Sequence, residues 1–278
     1  MEAKVPAFVL TDIPLSSITS LYFAGMKYFV EPTSIVRTIW GKGDTVLFVF
    51  AGAAAEFALN KAVDWLYFTG TLPGDPLGRL FSTMNYARGI VFSEEEAAFK
   101  TIDQISAIHA AVENKRGHQI PDWAYRDVLF MLIHYSQASF ELLERKMTAV
   151  EKEELYDVFH RMGLRMGLKS LPTGYNDWCV AREVHMSEDL AMSEYTTDLF
   201  HQYKKHLGGL RYNLLIEAQK LVVPAAASKK LGLESSSWLP PLLSSYKLSR
   251  KIGMDWFLKS MFLPKAYKKQ IKDLDRVP

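Results

Sequence analysis

Between Ser93 and Gly117 the positions Ala98, Ile102, Ile105, His109 and Val112 recur at alternating intervals of four and three. That rhythm predicts an amphipathic α-helix with one buried stripe. Ser93 followed three residues later by Glu96 predicts a capping box at its start. One member of the stripe is an imidazole. A histidine where Leu or Ile packs best costs stability unless its ring nitrogens find partners. The plain reading of His109 is a satisfied core residue; the sharper one is a haem or metal ligand on an apolar wall.

The helical period carries through the chain, and no window of clean two-residue alternation argues for a sheet. Residues 14–30 and 31–40 predict two helices. Asp44 is a plausible N-cap for DTVLFVFAGAAAEFALNKAVDWLYF, which is apolar on nearly every side and so predicted as one central helix. Asp75-Pro76 predicts an N-cap with proline at the first helical position. The helix it opens carries Arg79 and Thr83 one turn apart on one face. A long helix follows from about Pro121. Thr148 and Glu151 predict a second capping box, and Gly167 with Pro172 stops that helix. Further helices are expected at about 173–188, 193–206 and 209–222. PAAASKKLGLESSSWLPP reads as a loop with a Pro-Pro break. The expected class is all-α, with one helical domain over 1–223 and a C-terminal extension, 224–278, packed on it.

Composition excludes several functions. A formal charge of +2 over 278 residues, without a basic stripe, gives no footprint for nucleic acid. The single Cys179 excludes an internal disulfide framework and any CxxC metal site. The start, MEAKVPAFVL, lacks the basic and apolar segments of a secretory signal, so a cytoplasmic location is expected. The apolar run from Thr45 to Leu59 contains Glu56 and is too short to span a bilayer. The tail places Lys259, Lys265, Lys268 and Lys269 among Trp256, Phe257, Phe262 and Tyr267. A packed helix with solvated lysines explains it, and peripheral contact with an anionic membrane is the alternative.

Few motifs carry chemistry. No Gly-rich loop follows a strand and no GxSxG elbow occurs. Asp157/His160 and Asp198/His201 are Asp-x-x-His pairs, which raises a di-iron site as an alternative, although solvated helix faces explain them better. His109 and His134, within DVLFMLIHYSQASF, both sit on apolar helix faces. Either could be the single axial ligand that a haem needs, and periodicity does not choose between them.

Arg79-x-x-x-Thr83 directly after a Gly-Asp-Pro turn, with His109 of IHAAV about thirty residues on, resembles the MpaB-type oxygenase family, which includes latex-clearing proteins. YRDVLFMLIHYSQASF and the Leu-Tyr, Gly-Leu and Leu-Pro elements of LYDVFHRMGLRMGLKSLP extend the likeness from AGAAAEFAL to Pro172, about half of the chain. The resemblance implies a globin-like helical core holding haem b, with His109 as proximal ligand and Arg79 and Thr83 in the pocket. It implies a haem-dependent oxygenase that uses O2 to oxidise or cleave a C=C bond of a hydrophobic, isoprenoid or alkenyl, substrate. A pocket carboxylate acting as base is expected upstream, where Asp64 is the nearest candidate, with Trp65, Tyr67 and Phe68 as lining for an apolar channel. The chain departs from latex-clearing proteins at Ser82, where they carry a lysine able to occupy the iron, so a different resting coordination is expected. A helical lipid- or haem-binding protein without catalysis is the rival reading.

Overall fold

The computed structural model describes residues 27–251. The helix expected at 14–30 lies largely outside them, as do the basic residues of the tail. The described residues are helical throughout, without strands, as the period of the sequence requires. No helix among them is long and apolar enough to cross a membrane.

Helix α1 (Ile35–Trp40) leads into α2 (Gly43–Leu59), followed by α3 (Val63–Phe68), α4 (Thr71–Gly74), α5 (Pro76–Phe92) and α6 (Glu95–Arg116). Then come α7 (Asp122–Leu143), α8 (Ala149–Arg165), α9 (Tyr175–Glu188), α10 (Glu194–Leu207) and α11 (Gly209–Val222). The short α12 (Ala225–Leu231) and α13 (Leu239–Lys251) complete the described chain. Helix α2 is the axle. Fourteen of its seventeen residues are buried, and it packs on α1, α7, α10, α11 and α12. Its closest neighbour is α7, and Gly52 makes that approach possible: a Cβ there would overlap the Tyr135 ring of α7.

Several starts and stops differ from the sequence expectations, each for a local reason. The central helix does not run unbroken to Phe68. It ends at Leu59, because the Asn60 side-chain carbonyl accepts from Ala62 N at 2.8 Å and its amide donates to Asp127 Oδ2 at 3.1 Å. The backbone at this turn pairs with residues after α9 instead, Lys61 N donating to Asp189 O and Ala191 N to Leu59 O. Nor is Asp44 the N-cap of α2; Lys42 holds that position, and Asp44 accepts from Tyr246 Oη at 2.8 Å. The capping box at Ser93 does not form. Ser93 caps the C-terminus of α5, Glu94 takes the N-cap of α6, and Glu95 N donates to Lys27 O at 2.8 Å. The box at Thr148 and Glu151 forms as expected, and so does the Asp75 cap, which accepts from Gly78 N.

The stretch expected as a loop after 224 contains α12 and the start of α13. Pro240 and Pro241 lie in the first turn of α13, where a missing N–H leaves no bond unmade. Ala227, Leu239, Leu243 and Tyr246 join the same apolar core as α2 and α7.

That core encloses a network of charge. Glu56, on the innermost turn of α2, is fully buried and receives both Nη atoms of Arg182, from α9. Tyr135 Oη donates to Glu56 Oε2 at 2.8 Å, and His185 Nε2 lies 3.2 Å from Oε1. Burial alone would raise the Glu56 pKa, but Arg182 and His185 hold it down at about 2. His134 lies beside this network and bonds the Val222 backbone; burial and the Arg182 charge push its pKa down to about 4. Its Nε2 is out of water and without a partner.

Two predictions follow from this packing. Gly52→Ala should lower stability by roughly 1–3 kcal/mol through overpacking against Tyr135. Gly209→Ala, where a Cβ meets nothing within 4 Å, should not; equal melting temperatures for the two variants would contradict the close approach. His134 is neutral in the folded chain and takes up a proton near pH 6.5 when unfolded. Stability should therefore fall as pH drops from about 6.5 to 4, by up to roughly 3 kcal/mol. Urea titrations at pH 7, 5.5 and 4.5 should show this loss reduced in His134→Asn; an unchanged loss would place the acid sensitivity elsewhere. The Glu56 contribution disappears only in the lower window between 4.5 and about 2.

Candidate functional site

The stripe on α6 is only partly buried. Ala98 and Ile102 are in the core, while Ile105, His109 and Val112 are half-buried towards the other end of the helix. His109 thus stands where the apolar face of α6 leaves the core. Its ring packs against Tyr125 of α7, with centroids 5.0 Å apart and planes tilted by 56°. Nδ1 of His109 is shielded from solvent and has no hydrogen-bond partner. Burial and the nearby Arg79 charge lower its pKa, with Glu113 opposing, so the imidazole is neutral at pH 7.

Arg79 projects from α5, which the Asp75 cap and Pro76 fix at its start. No hydrogen bond or ion pair holds its guanidinium among the described residues, and burial weighs against its charge. A half-buried cation without a counter-charge is costly unless something anionic arrives. Thr83, one turn on, donates its hydroxyl to Arg79 O at 3.1 Å. The electrostatic coupling of Arg79 with His109 brings together two of the residues singled out in the sequence. Between α5 and α6 a cavity of about 570 Å³ opens, lined by Phe81, Ser82, Asn85, Tyr86, Thr101 and Gln104. Ser82, the position of the departure noted above, is part of its wall, whereas Arg79, Thr83 and His109 are not among the lining residues.

Asp64 reaches the same helix by another route. Its Oδ2 accepts from Arg116 Nη2 at 2.6 Å, and Arg116 follows His109 by two turns on the same face of α6. The Arg116 guanidinium lies over Trp65, 4.0 Å from the ring centroid, and near Phe68, while its Nη1 is buried without a partner. Trp65 and Phe68 therefore support a cation. Tyr67 turns away, donating to Asp198 Oδ2 at 2.8 Å. Glu113, one turn after His109, is fixed by Tyr125 Oη at 3.0 Å and Ile120 N at 2.8 Å. Sequence reasoning missed Glu113, Arg116 and Tyr125, although the spacing His109, Glu113, Arg116 places all three α6 residues on one face.

The remaining candidates are accounted for elsewhere. His134 belongs to the charge network of the core, on the same helix as Tyr125 but more than two turns away. The Asp-x-x-His pairs are engaged separately: Asp157 with Arg161, His160 against the Tyr156 ring, and Asp198 with Tyr67 and Gln202. The carboxylates that do converge on a histidine are Glu56, Asp127 and Asp189, at His185.

The set around α6 offers a neutral imidazole, two cations with unfilled valence for an anion, and an apolar and aromatic surround. A family model described as "ER-bound oxygenase mpaB/B'/Rubber oxygenase, catalytic domain" matches residues 40–246, which include Asp64, Arg79, Thr83 and His109. A search of curated proteins and a search of solved structures returned no match. The match spans most of the sequence and reaches into α13, well past the Leu-Pro element at which the resemblance ended. The chain belongs to the mpaB/rubber oxygenase catalytic-domain family.

Proposed function

We propose that the chain is a haem b-dependent oxygenase acting on a hydrophobic isoprenoid or alkenyl substrate in a globin-like helical pocket, with His109 as the axial ligand. The observation that carries this reading is the neutral His109 imidazole, with a buried and unpartnered Nδ1, held beside the unpaired Arg79 cation. The residues suit the group. A neutral imidazole is the donor that a haem iron requires, and a fixed guanidinium suits a propionate or negative charge developing on oxygen. Haem b, when bound, supplies the activation of dioxygen.

The chain's own groups do the rest. Tyr125 packs on the His109 ring and limits its rotation, while Glu113, itself tied to Tyr125, partly offsets the lowering of the His109 pKa by burial and Arg79. Arg79 holds negative charge in a site that partly excludes water, where such an interaction is stronger than in solution. Thr83 spends its proton on the Arg79 carbonyl and presents lone pairs outward. Asp64, the proposed proton acceptor, is bonded to Arg116, so accepting a proton requires that pair to part or to act as a unit. Ser82 is shorter than the lysine of latex-clearing proteins and carries no nitrogen donor, which favours a resting site open to water.

A Soret band in the purified protein, lost in His109→Ala and kept in His134→Ala at unchanged helicity, is the expected result. Loss in His134→Ala alone would move the ligand to the core histidine, and no band in any sample reconstituted with haemin would end the haem reading. Arg79→Ala should keep haem but consume dioxygen with an alkenyl substrate about 10-fold to 1,000-fold more slowly. Unchanged uptake would remove Arg79 from the reaction, and a wild-type protein that binds haem but consumes no dioxygen would favour simple binding.

A further inference from the structure

The charge network of the core continues into a second cluster, two turns along the same face of α7 from His134. His185 and Asp189, one turn apart at the end of α9, meet Asp127 of α7, and their ligand-type atoms all lie within 4.8 Å of one another. His185 Nδ1 is 2.8 Å from Asp127 Oδ1 and 3.3 Å from Asp189 Oδ2, while its Nε2 faces Glu56 Oε1. Three carboxylate oxygens thus surround one ring. Nδ1 is shared between the two carboxylates: it lines up better with Asp189 Oδ2, while Asp127 Oδ1 is closer but poorly aligned for a hydrogen bond. Asp127 is fully buried, so this oxygen has only the ring nitrogen beside it, without a well-directed hydrogen bond.

We propose that Asp127 Oδ1, Asp189 Oδ2 and His185 Nδ1 bind a divalent transition-metal cation of the Zn2+ or Mn2+ type. Mixed imidazole and carboxylate donors suit such ions. A cation seated among the three atoms gives the poorly aligned Asp127 oxygen a direct partner and takes the place of the Nδ1 proton, which leaves to solvent. The orienting groups that a metal-binding histidine usually has are already in place. Glu56 faces the other ring nitrogen and is itself fixed by Arg182 and Tyr135, and Asn60 holds the second oxygen of Asp127. The Asp189 side chain is 22% exposed, which gives an ion an entry path and room for water ligands. Charge argues the same way. The carboxylates of Glu56, Asp127 and Asp189 outnumber the charges of Arg182 and a protonated His185, whereas a divalent ion with neutral His185 balances them.

The ion would tie α7 to α9 and to the Asn60 turn from which α3 and Asp64 depart. It is a structural site and stands independently of the haem reading.

The test uses the full-length protein, stripped with chelator, desalted and titrated calorimetrically with ZnCl2 and with MnCl2 at pH 7. Retained metal is counted after gel filtration, and porphyrin iron is counted separately as the pyridine complex. One ion per chain is expected, with a higher melting temperature on loading. Asp189→Asn, at a partly exposed position, should bind at least 10-fold more weakly and lose the thermal shift, and so should Asp127→Asn. Asp157→Asn, an exposed carboxylate on α8, should behave as wild type. No retained metal, wild-type binding in Asp189→Asn, or an equal loss in Asp157→Asn would each overturn the site. A protein that retains this ion but never a porphyrin would sink the oxygenase reading alone.

Discussion

A single carboxylate placed in the most apolar helix of the chain governs the arrangement of the core. Glu56 cannot remain charged in that position without partners, because desolvating an unpaired carboxylate costs more than the whole domain is stable by. It therefore demands Arg182 and His185 from α9 and Tyr135 from α7 at fixed places, and these demands set how both helices lie on α2. Apolar side chains of similar volume can pack as well as a buried ion pair, so the network is better read as specifying one arrangement than as adding stability. Breaking it by removing one partner would still cost about 3–5 kcal/mol, since the other charge stays behind.

The same constraint reaches the candidate haem site through rigid elements. Helix α7 carries Tyr135 and Asp127 in the network and Tyr125 against the His109 ring, so the orientation of that imidazole is inherited from the core. The turn at Asn60, bonded to Asp127, decides where α3 begins and so where Asp64 meets Arg116. A site on α3, α5 and α6 is thereby held by elements whose register is fixed by buried charge on the opposite side of α7. This division makes physical sense. Unfilled valence is tolerated at Arg79 and His109 because the packing that surrounds them does not depend on filling it.

Much of this was legible in the sequence, and the reasons for the exceptions are specific. Helix type, and most of the boundaries from α7 to α11, followed from apolar period and caps, which are local signals. The capping box at Ser93 failed because a distant segment anchors the start of α6, the Lys27 carbonyl taking Glu95 N, next to the amide that the box would have used. The break after Leu59 failed to show because it depends on Asp127, sixty-seven residues away. Within the site, the pairing of Arg79 with His109 was suggested by their order and by the family resemblance, and the Arg79 charge is near enough to lower the His109 pKa. Arg116 went unnoticed since a basic residue near a helix C-terminus has a sufficient explanation in the helix dipole. The core network left one readable trace. Trp178, Arg182, His185 and Asp189 follow the four-three-four rhythm of an inward stripe, with three polar members, and Glu56 is the single charge in its apolar run.

The picture that results is of an oxygenase-family domain whose buried charges fix its packing and whose α5–α6 face carries a cation and an imidazole nitrogen without partners among the described residues. The central claim is that His109 supplies the missing bond. Replacing it by glycine leaves an imidazole-sized gap at a half-buried position, and free imidazole added with haemin can fill that gap. The account predicts that His109→Gly binds haemin only when imidazole is supplied, regaining the wild-type absorption spectrum as the imidazole concentration rises. Retention of the full wild-type spectrum by His109→Gly without imidazole would contradict it.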